Sequence, residues 1–210
     1  MKELEQFGNI PINYAILRAL YSHYQSPHNK ISSLEQSQQI IRLKREIYVV
    51  SPEITHQLLS TELIANHIYN PSYVSMESAL RYYGLIPEQV YTTKSMTTNR
   101  SKEFENSIGK FKYITTDSDY FSIGISLKTI DNKYTFLIAS PEKALCDLII
   151  STPKLRIQSA KALTNYLEED LRFDLSSLPQ MNPSIIEACI AKGKKKDTLR
   201  FLLNLISSCH

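Results

Sequence analysis

The pattern of this 210-residue chain predicts an α+β fold: a winged-helix-like N-terminal module, then a mixed α/β domain that ends in a helical segment. Three observations carry that expectation. Serine or asparagine stands directly before proline at Ser26-Pro27, Ser51-Pro52, Ser140-Pro141 and Asn182-Pro183, the spelling of a capped helix start. Residues from about 90 to 139 are rich in Tyr, Phe, Thr and Ile, the composition of strands. Between the first two helix starts lies IIRLKREIYVV, Ile40–Val50, where two β-rich runs flank Lys44-Arg45-Glu46 and read as a tight hairpin.

Taken in order, Ile12, Ala15, Ile16, Ala19, Leu20 and Tyr24 fall at helical spacing and predict an amphipathic helix over 12–24 with those residues inward. Ser26 starts the next helix, over 27–37. There only Ile31 and Leu34 are clearly apolar, and His28, Asn29, Lys30, Ser32, Ser33, Glu35 and Gln36 are polar. Helix, helix and basic hairpin outline a compact winged helix-turn-helix-like module over 1–52. A full module of that kind has three helices, so either MKELEQFG supplies a short one or the module is abbreviated.

From Pro52 a helix is expected to run to about Tyr69, with Leu58, Leu59, Leu63, Ile64 and Ile68 inward and Asn70-Pro71 ending it. Ser75 caps another, with Glu77 in its first turn and Gly84 placed to end it in the left-handed conformation. Strands are expected at Val90–Thr93, Lys110–Thr115, Phe121–Ile130 and Tyr134–Ala139, with Asp131-Asn132 turning between the last two. Helices near 140–151, 156–170, 183–191 and 195–207 complete a second domain over 53–210. No internal repeat is present.

Hydrophobic residues make up 42% of the chain and charged residues 21%, the balance of a folded protein rather than a disordered one. No apolar run reaches the roughly 18 residues of a membrane span. Glu3 and Glu5 at the N-terminus, with no apolar stretch behind them, do not read as a secretory signal. Cys146, Cys189 and Cys209 are odd in number and widely spaced, which suits reduced thiols in a cytoplasmic protein. The net charge of +3 names no partner by itself, but its distribution is uneven. Arg42, Lys44 and Arg45 crowd the hairpin. Lys94, Arg100, Lys102, Lys110 and Lys112 fall mid-chain, and Lys192, Lys194, Lys195, Lys196 and Arg200 near the end. A solvated face is the commoner origin of such clusters.

The search for catalytic chemistry yields little. None of GxxxxGK[ST], GxGxxG, HExxH or GxSxG occurs, and 5 glycines are few for a phosphate-cradling loop. His56 and His67 stand eleven residues apart on one expected helix, too far for one metal. Asp117-Ser118-Asp119 is a pair of carboxylates suited to a divalent cation, yet no Gly-Ser turn precedes it, and a solvated turn is the plainer reading. Cys146 lies between Leu145 and Leu148 on an expected helix, has no partnered histidine, and reads as core. Tyr82, Tyr83, Tyr91, Tyr113, Tyr120 and Tyr134 have the rings to stack on single-stranded bases, but strand packing explains them equally simply. No catalytic residue, metal ligand or cofactor is therefore expected.

The N-terminal module offers a binding surface instead. A duplex reader needs a short helix with small polar side chains outward, so that the backbone approaches base edges in the major groove. Asn29, Lys30, Ser32, Ser33 and Gln36 suit that role, and Arg42, Lys44 and Arg45 are the candidates for phosphate contacts.

Beyond these local readings, several ordered blocks carry a resemblance. RLKREIYVV, YVSMESALRYYGLIPEQVYTTKSMTTNR (Tyr73–Arg100), GKFKYITTDSDYF (Gly109–Phe121) and ASPEKALCDLI (Ala139–Ile149) together resemble the AbiEi family, from about Pro27 to Ile150. These are antitoxins and transcriptional regulators of type IV toxin–antitoxin systems. The resemblance implies an N-terminal winged helix-turn-helix that binds inverted repeats in its own promoter and represses the operon. It also implies a C-terminal domain that neutralises a nucleotidyltransferase-like toxin without a stable complex and helps DNA binding cooperate. Ser75, Glu77 and the Ser140–Asp147 helix match family blocks, where capping and packing account for them. Members usually carry glycine at the hairpin turn, because a tight turn favours positive φ; here the position is Glu46.

Two alternatives remain open on these residues. One is a protein-interaction module with decayed DNA binding, whose basic hairpin and C-terminal lysines meet an acidic partner. The other is an enzyme acting on nucleotides through Asp117 and Asp119.

Overall fold

The computed structural model describes residues 2–87 and 91–208; the expected strand start at Val90 and the third cysteine, Cys209, lie outside them. The opening residues form a short helix, α1 (Lys2–Glu5), so the extra helix is the alternative that the chain adopts. β1 (Ile12–Asn13) follows, and the Asn13 Oδ1 accepts the Ile16 N–H at 2.9 Å, starting α2 (Tyr14–Leu20). This corrects the helix expected over 12–24. Leu17 and, just beyond the helix, Tyr21 are buried, while Ile16 is 43% exposed and Tyr24 42%. Ile16/Leu20 and Leu17/Tyr21 are both i,i+4 pairs, and the cap at Asn13 with the packing of α3 (Pro27–Gln36) selects the second.

β2 (Ile40–Lys44) and β3 (Ile47–Val50) form the expected hairpin, and β1 joins it in an antiparallel sheet of order β1-β3-β2. Glu46, at the turn, has φ 64, the left-handed region that glycine favours. Its carbonyl accepts the Tyr14 N–H at 2.8 Å, fastening the turn to the start of α2. Side chains alternate along the hairpin. Ile40, Tyr48 and Val50 enter a first core with Leu4, Ile12, Leu17, Tyr21, Ile31 and Leu34; Leu43 and Val49 enter a second, larger one.

The continuous helix expected over 52–69 is two. α4 (Pro52–Thr55) stops at His56, whose φ is 52, and the Ser60 Oγ accepts the Leu63 N–H at 3.1 Å to begin α5 (Thr61–Ile68). Ser60-Thr61-Glu62 is an N-cap signal of its own, and it overrides the apolar spacing. Leu58 is consequently 89% exposed rather than inward.

The second unit is built on a mixed six-stranded sheet of order β6-β7-β5-β4-β9-β8. Its strands are β4 (Ser72–Val74), β5 (Thr92–Thr97), β6 (Lys102–Glu105), β7 (Lys110–Thr115), β8 (Ile125–Ile130) and β9 (Tyr134–Ala139). β4/β9 and β5/β7 are parallel and the other pairs antiparallel. β4 and β6 carry no strand signature, one being three residues long and the other spelled KEFE. The strand expected from Phe121 begins only at Ile125, after a helical turn, α7 (Ser118–Phe121), and Gly124 at φ 58.

α6 (Met76–Tyr82) ends as expected, with Gly84 at φ 72. α8 (Pro141–Ser151) is capped by Ser140, whose Oγ accepts the Lys143 N–H at 3.3 Å. α9 (Ala160–Asn165) starts later than residue 156 because Ser159 caps it, and a wider helical turn, Tyr166–Asp170, extends it. A tight helical segment at Leu175–Gln180, unforeseen in the sequence, leads to α10 (Pro183–Lys192) and α11 (Lys196–Ser207). α5 lies on one face of the large sheet, where the Tyr113 hydroxyl donates to the Ala65 carbonyl at 2.6 Å. α8 lies on the other, where the Tyr73 hydroxyl reaches Asp147 at 3.0 Å. No helix of the described residues is long and apolar enough to cross a membrane.

Two stability measurements check this assignment. Leu58→Ser is expected to shift the urea unfolding free energy by no more than about 0.5 kcal/mol. Leu63→Ala should lower it by about 2–5 kcal/mol. Equal effects would contradict the broken helix. Glu46→Gly is expected to raise stability by about 1 kcal/mol, read as a higher urea midpoint at unchanged slope, by removing a side chain from the left-handed region. A lower midpoint would refute that.

Candidate nucleic-acid interface

The candidate base-reading residues all lie on α3. Asn29, Ser33 and Gln36 recur at i, i+4 and i+7 and are exposed, whereas Ile31 and Leu34 face the core and Ser32 is half-buried. The Ser26 Oγ accepts the Asn29 N–H at 3.4 Å and sets the start of this helix. Lys30, also half-buried, holds its ammonium 5.8 Å from the Tyr21 ring centroid and 5.3 Å from that of Tyr24. Its position is thereby fixed against the aromatic pair at the end of α2.

The three hairpin cations differ in their freedom. Arg42 donates to Glu35 of α3 at 2.6 Å and lies 5.5 Å from the Tyr48 ring centroid, so it binds the hairpin to the helix. The bond to Glu35 raises the guanidinium's pKa above its ordinary value. Lys44 is half-buried, 5.9 Å from the centroid of Phe104 in β6; burial, and then the nearby Lys102, lower its pKa. Arg45 is the open one, its side chain 93% exposed, with Glu46 at 3.8 Å.

The other basic clusters are largely taken up within the fold. Lys94 pairs with Glu77 at 2.6 Å, Lys110 with Glu105 at 3.3 Å and Lys112 with Glu103 at 2.6 Å. Near the C-terminus, Lys192 meets Asp119 at 3.3 Å and Arg200 meets Asp197 at 2.6 Å. Lys195 donates to the carbonyls of Ile149 and Thr152 at 2.8 and 2.7 Å, closing the C-terminal end of α8 where a cation is favoured.

Asp119 is thus engaged by a lysine, and Asp117 stands at the head of α7. Among the described residues no group of three or more His, Cys, Asp or Glu is placed to hold a metal ion. Tyr73, Tyr113 and Tyr120 are buried, so they do not offer their faces to bases; Tyr91 is exposed.

What the sequence reading missed is a polar cluster inside the second unit. Ser75 stands at the head of α6, but its hydroxyl makes no cap; it donates instead to the Asp147 Oδ2 at 2.6 Å, beside the Tyr73 hydroxyl at 3.0 Å. Lys143, one turn before Asp147 on α8, places its Nζ 3.2 Å from the Oδ1. That ammonium also donates to the Tyr120 carbonyl at 3.0 Å and lies 3.0 Å from the Tyr120 ring centroid. Both ionic side chains are 0% exposed. Burial pushes the Asp147 carboxyl above its ordinary pKa, while Lys143 and the hydroxyls of Ser75, Tyr120 and Tyr73 pull it back. Cys146, between them on α8, is buried beside Cys189 of α10 and its thiol pKa is raised by that burial. The signal in the sequence was Lys143 and Asp147 at i,i+4 on a largely apolar helix.

Asp147→Ala leaves the Lys143 charge buried without its partner, and is expected to lower the unfolding free energy by about 3–5 kcal/mol. A loss below about 1 kcal/mol in urea titration would show that the pair does not hold the second unit.

No protein-family model matches the chain, and no curated protein does. Among solved structures, the crystal structure of the RV2827C protein from Mycobacterium tuberculosis is similar to it, with a TM-score of 0.53 at 10% sequence identity. The match covers 97% of this chain and 79% of that one. The likeness is one of fold, and this chain's fold is a mixed α+β one.

Proposed function

We propose that the protein is a duplex-DNA-binding regulator whose N-terminal residues 1–52 form a winged helix-turn-helix. The observation that carries this reading is the run α1–β1–α2–α3–β2–β3 with sheet order β1-β3-β2, the order in which such a module is built. α3 is then the reading helix. Asn29 and Gln36 have the side-chain amides that pair with adenine in the major groove, and Ser33 between them is small enough to let the backbone approach. Arg45 at the hairpin tip meets a phosphate, which adds affinity without sequence information. Arg42 acts indirectly, holding the hairpin to α3 through Glu35.

The biological role follows from the resemblance of the Tyr73–Ile149 blocks to AbiEi proteins. In that role the chain is a cytoplasmic antitoxin of a type IV toxin–antitoxin system. It represses its own operon at inverted repeats in the promoter, and counters a nucleotidyltransferase-like toxin without forming a stable complex. No cofactor takes part. The polar cluster around Asp147 is closed inside the second unit, and we assign it to stability rather than chemistry.

A mobility shift on the fragment upstream of the chain's own gene, titrated with salt, tests the reading. Each base contact removed by Asn29→Ala or Gln36→Ala is expected to cost about 1–3 kcal/mol of discrimination against unrelated duplex. Arg45→Ala should weaken all duplexes alike and reduce the slope of log affinity against log salt by about 1. No shift by the wild type at low salt, together with a stable co-purifying acidic partner, would replace DNA binding with the protein-interaction reading.

A further inference from the structure

Among the described residues four strands stand at the edges of the two sheets, and three of them resist further pairing. β1 is two residues long. β2 shifts register against β3 between Arg42 and Lys44, and its Leu43 carbonyl already accepts from the Asn106 Nδ2 at 2.9 Å. β6 is spelled KEFE, short and charged. β8 has none of these protections. It carries no proline, its pairing with β9 runs unbroken from Ile125 to Ile130, and Leu127 is 62% exposed. Its one charge, Lys128, is drawn over the Tyr83 ring, 5.1 Å from the centroid.

Hydrogen bonds on β9 fix which backbone groups of β8 point outward. The Leu137 N–H donates to the Asn66 Oδ1 at 2.6 Å, and the Leu137 carbonyl accepts from the Asn66 Nδ2 at 3.3 Å. Leu137 therefore turns away from β8. Residues opposite each other in an antiparallel pair either exchange bonds or both turn away, so Leu127, opposite Leu137, directs its own N–H and C=O outward. Gly124 agrees: its carbonyl accepts the Ser140 N–H at 2.8 Å, so Gly124 turns inward and Ile125 beside it outward. Ile125, Leu127 and Thr129 thus present a row of donors and acceptors with no strand beyond them among the described residues.

We infer that β8 pairs with β8 of a second copy of this chain, antiparallel about a dyad at Leu127, joining two large sheets into one. A dyad perpendicular to a sheet sets opposite each other only residues of one face, whose numbers differ by an even count. Centred on Leu127, each Leu127 exchanges both backbone bonds with its copy, and Ile125 does so with Thr129 of the copy. Lys128 then stands opposite Ser126, and the exposed Leu127 side chains meet. Centred on Lys128, the ladder would set that lysine against itself; centred on Ser126, it would lose Thr129. On β6 every such register sets a glutamate opposite a glutamate or a lysine opposite a lysine. Self-complementarity of β8, which β6 lacks, names a second copy as the occupant. The contact lies at the end of the sheet remote from the hairpin clamp at Asn106, and it holds whether or not the chain binds DNA.

Sedimentation equilibrium on the full chain, between about 1 μM and about 1 mM, reads the association directly. The wild type is expected to shift with concentration toward twice the mass of one chain. Leu127→Lys sets two like charges at the dyad and should raise the dissociation constant at least about tenfold, as should Leu127→Glu. The side chain is exposed, so at the low end of the range both variants should keep the wild-type urea midpoint. Mixing the two variants should restore association, lysine against glutamate, which pairing of residue 127 with residue 127 requires. A wild type that stays monomeric throughout overturns the inference. So does a dimer indifferent to Leu127→Lys, whose contact lies elsewhere, and so do two monomeric variants whose mixture stays monomeric. A chain monomeric by itself that loses a co-purifying protein on Leu127→Lys also overturns it, giving the edge to a strand of another protein.

Discussion

The two-sided burial of the hairpin Ile40–Val50 is the constraint on which the rest depends. Its strands alternate, so Tyr48 and Val50 close the first core beneath α2 and α3 while Val49 and Leu43 close the second against α5. A slip of one residue would exchange the two sets and empty both cores together. The hairpin therefore has one register, and with it α3 has one orientation relative to the large sheet. An exposed wing hanging from a surface would not be held in this way; here it is a shared wall.

The same wall explains the placement of charge. Arg42 and Lys44 leave the strand in different directions because of the irregularity at Leu43, one toward Glu35 of α3 and the other toward Phe104. The hairpin's basic character thus divides into a cation tied to α3, Arg42, one packed on Phe104, Lys44, and an exposed one, Arg45. Inside the second unit a different rule operates. Lys143 and Asp147 have no access to water, so the ion pair depends on the hydroxyls of Ser75 and Tyr73 and on the Tyr120 carbonyl for its further hydrogen bonds. Tyr73, Ser75, Lys143 and Asp147 then come as a set.

Much of this could be read directly. The four proline-marked helix starts at Pro27, Pro52, Pro141 and Pro183 stand where expected, as do Lys110–Thr115, Tyr134–Ala139 and the Gly84 stop. Those signals are local: a cap, a fixed φ, a run of β-formers. The misreadings were also local in origin. Ile16 and Leu17 offer two helical stripes, and a spacing argument has no means of choosing between them. Ser60 competed with the apolar pattern around Leu58, and the cap prevailed. The strand KEFE is a strand only because β7 lies beside it. Of the candidate interface, the face Asn29–Ser33–Gln36 was legible because the apolar Ile31 and Leu34 fix which way the helix turns. Which hairpin cations are free was not, since Glu35 and Phe104 are distant in sequence from the residues they engage.

By itself, then, the sequence determined the four proline-marked helix starts, which turns need positive φ, that the hairpin exists, and that α3 shows a polar face. Each is settled by contacts within a few residues of chain. Only the tertiary structure decided that the hairpin belongs to two cores, that Ser75 serves Asp147 rather than its own helix, and that Lys44 of the hairpin reaches Phe104 of β6. Those outcomes join residues far apart in the chain, and burial and charge pairing act on distance in space, which spacing along a sequence does not record.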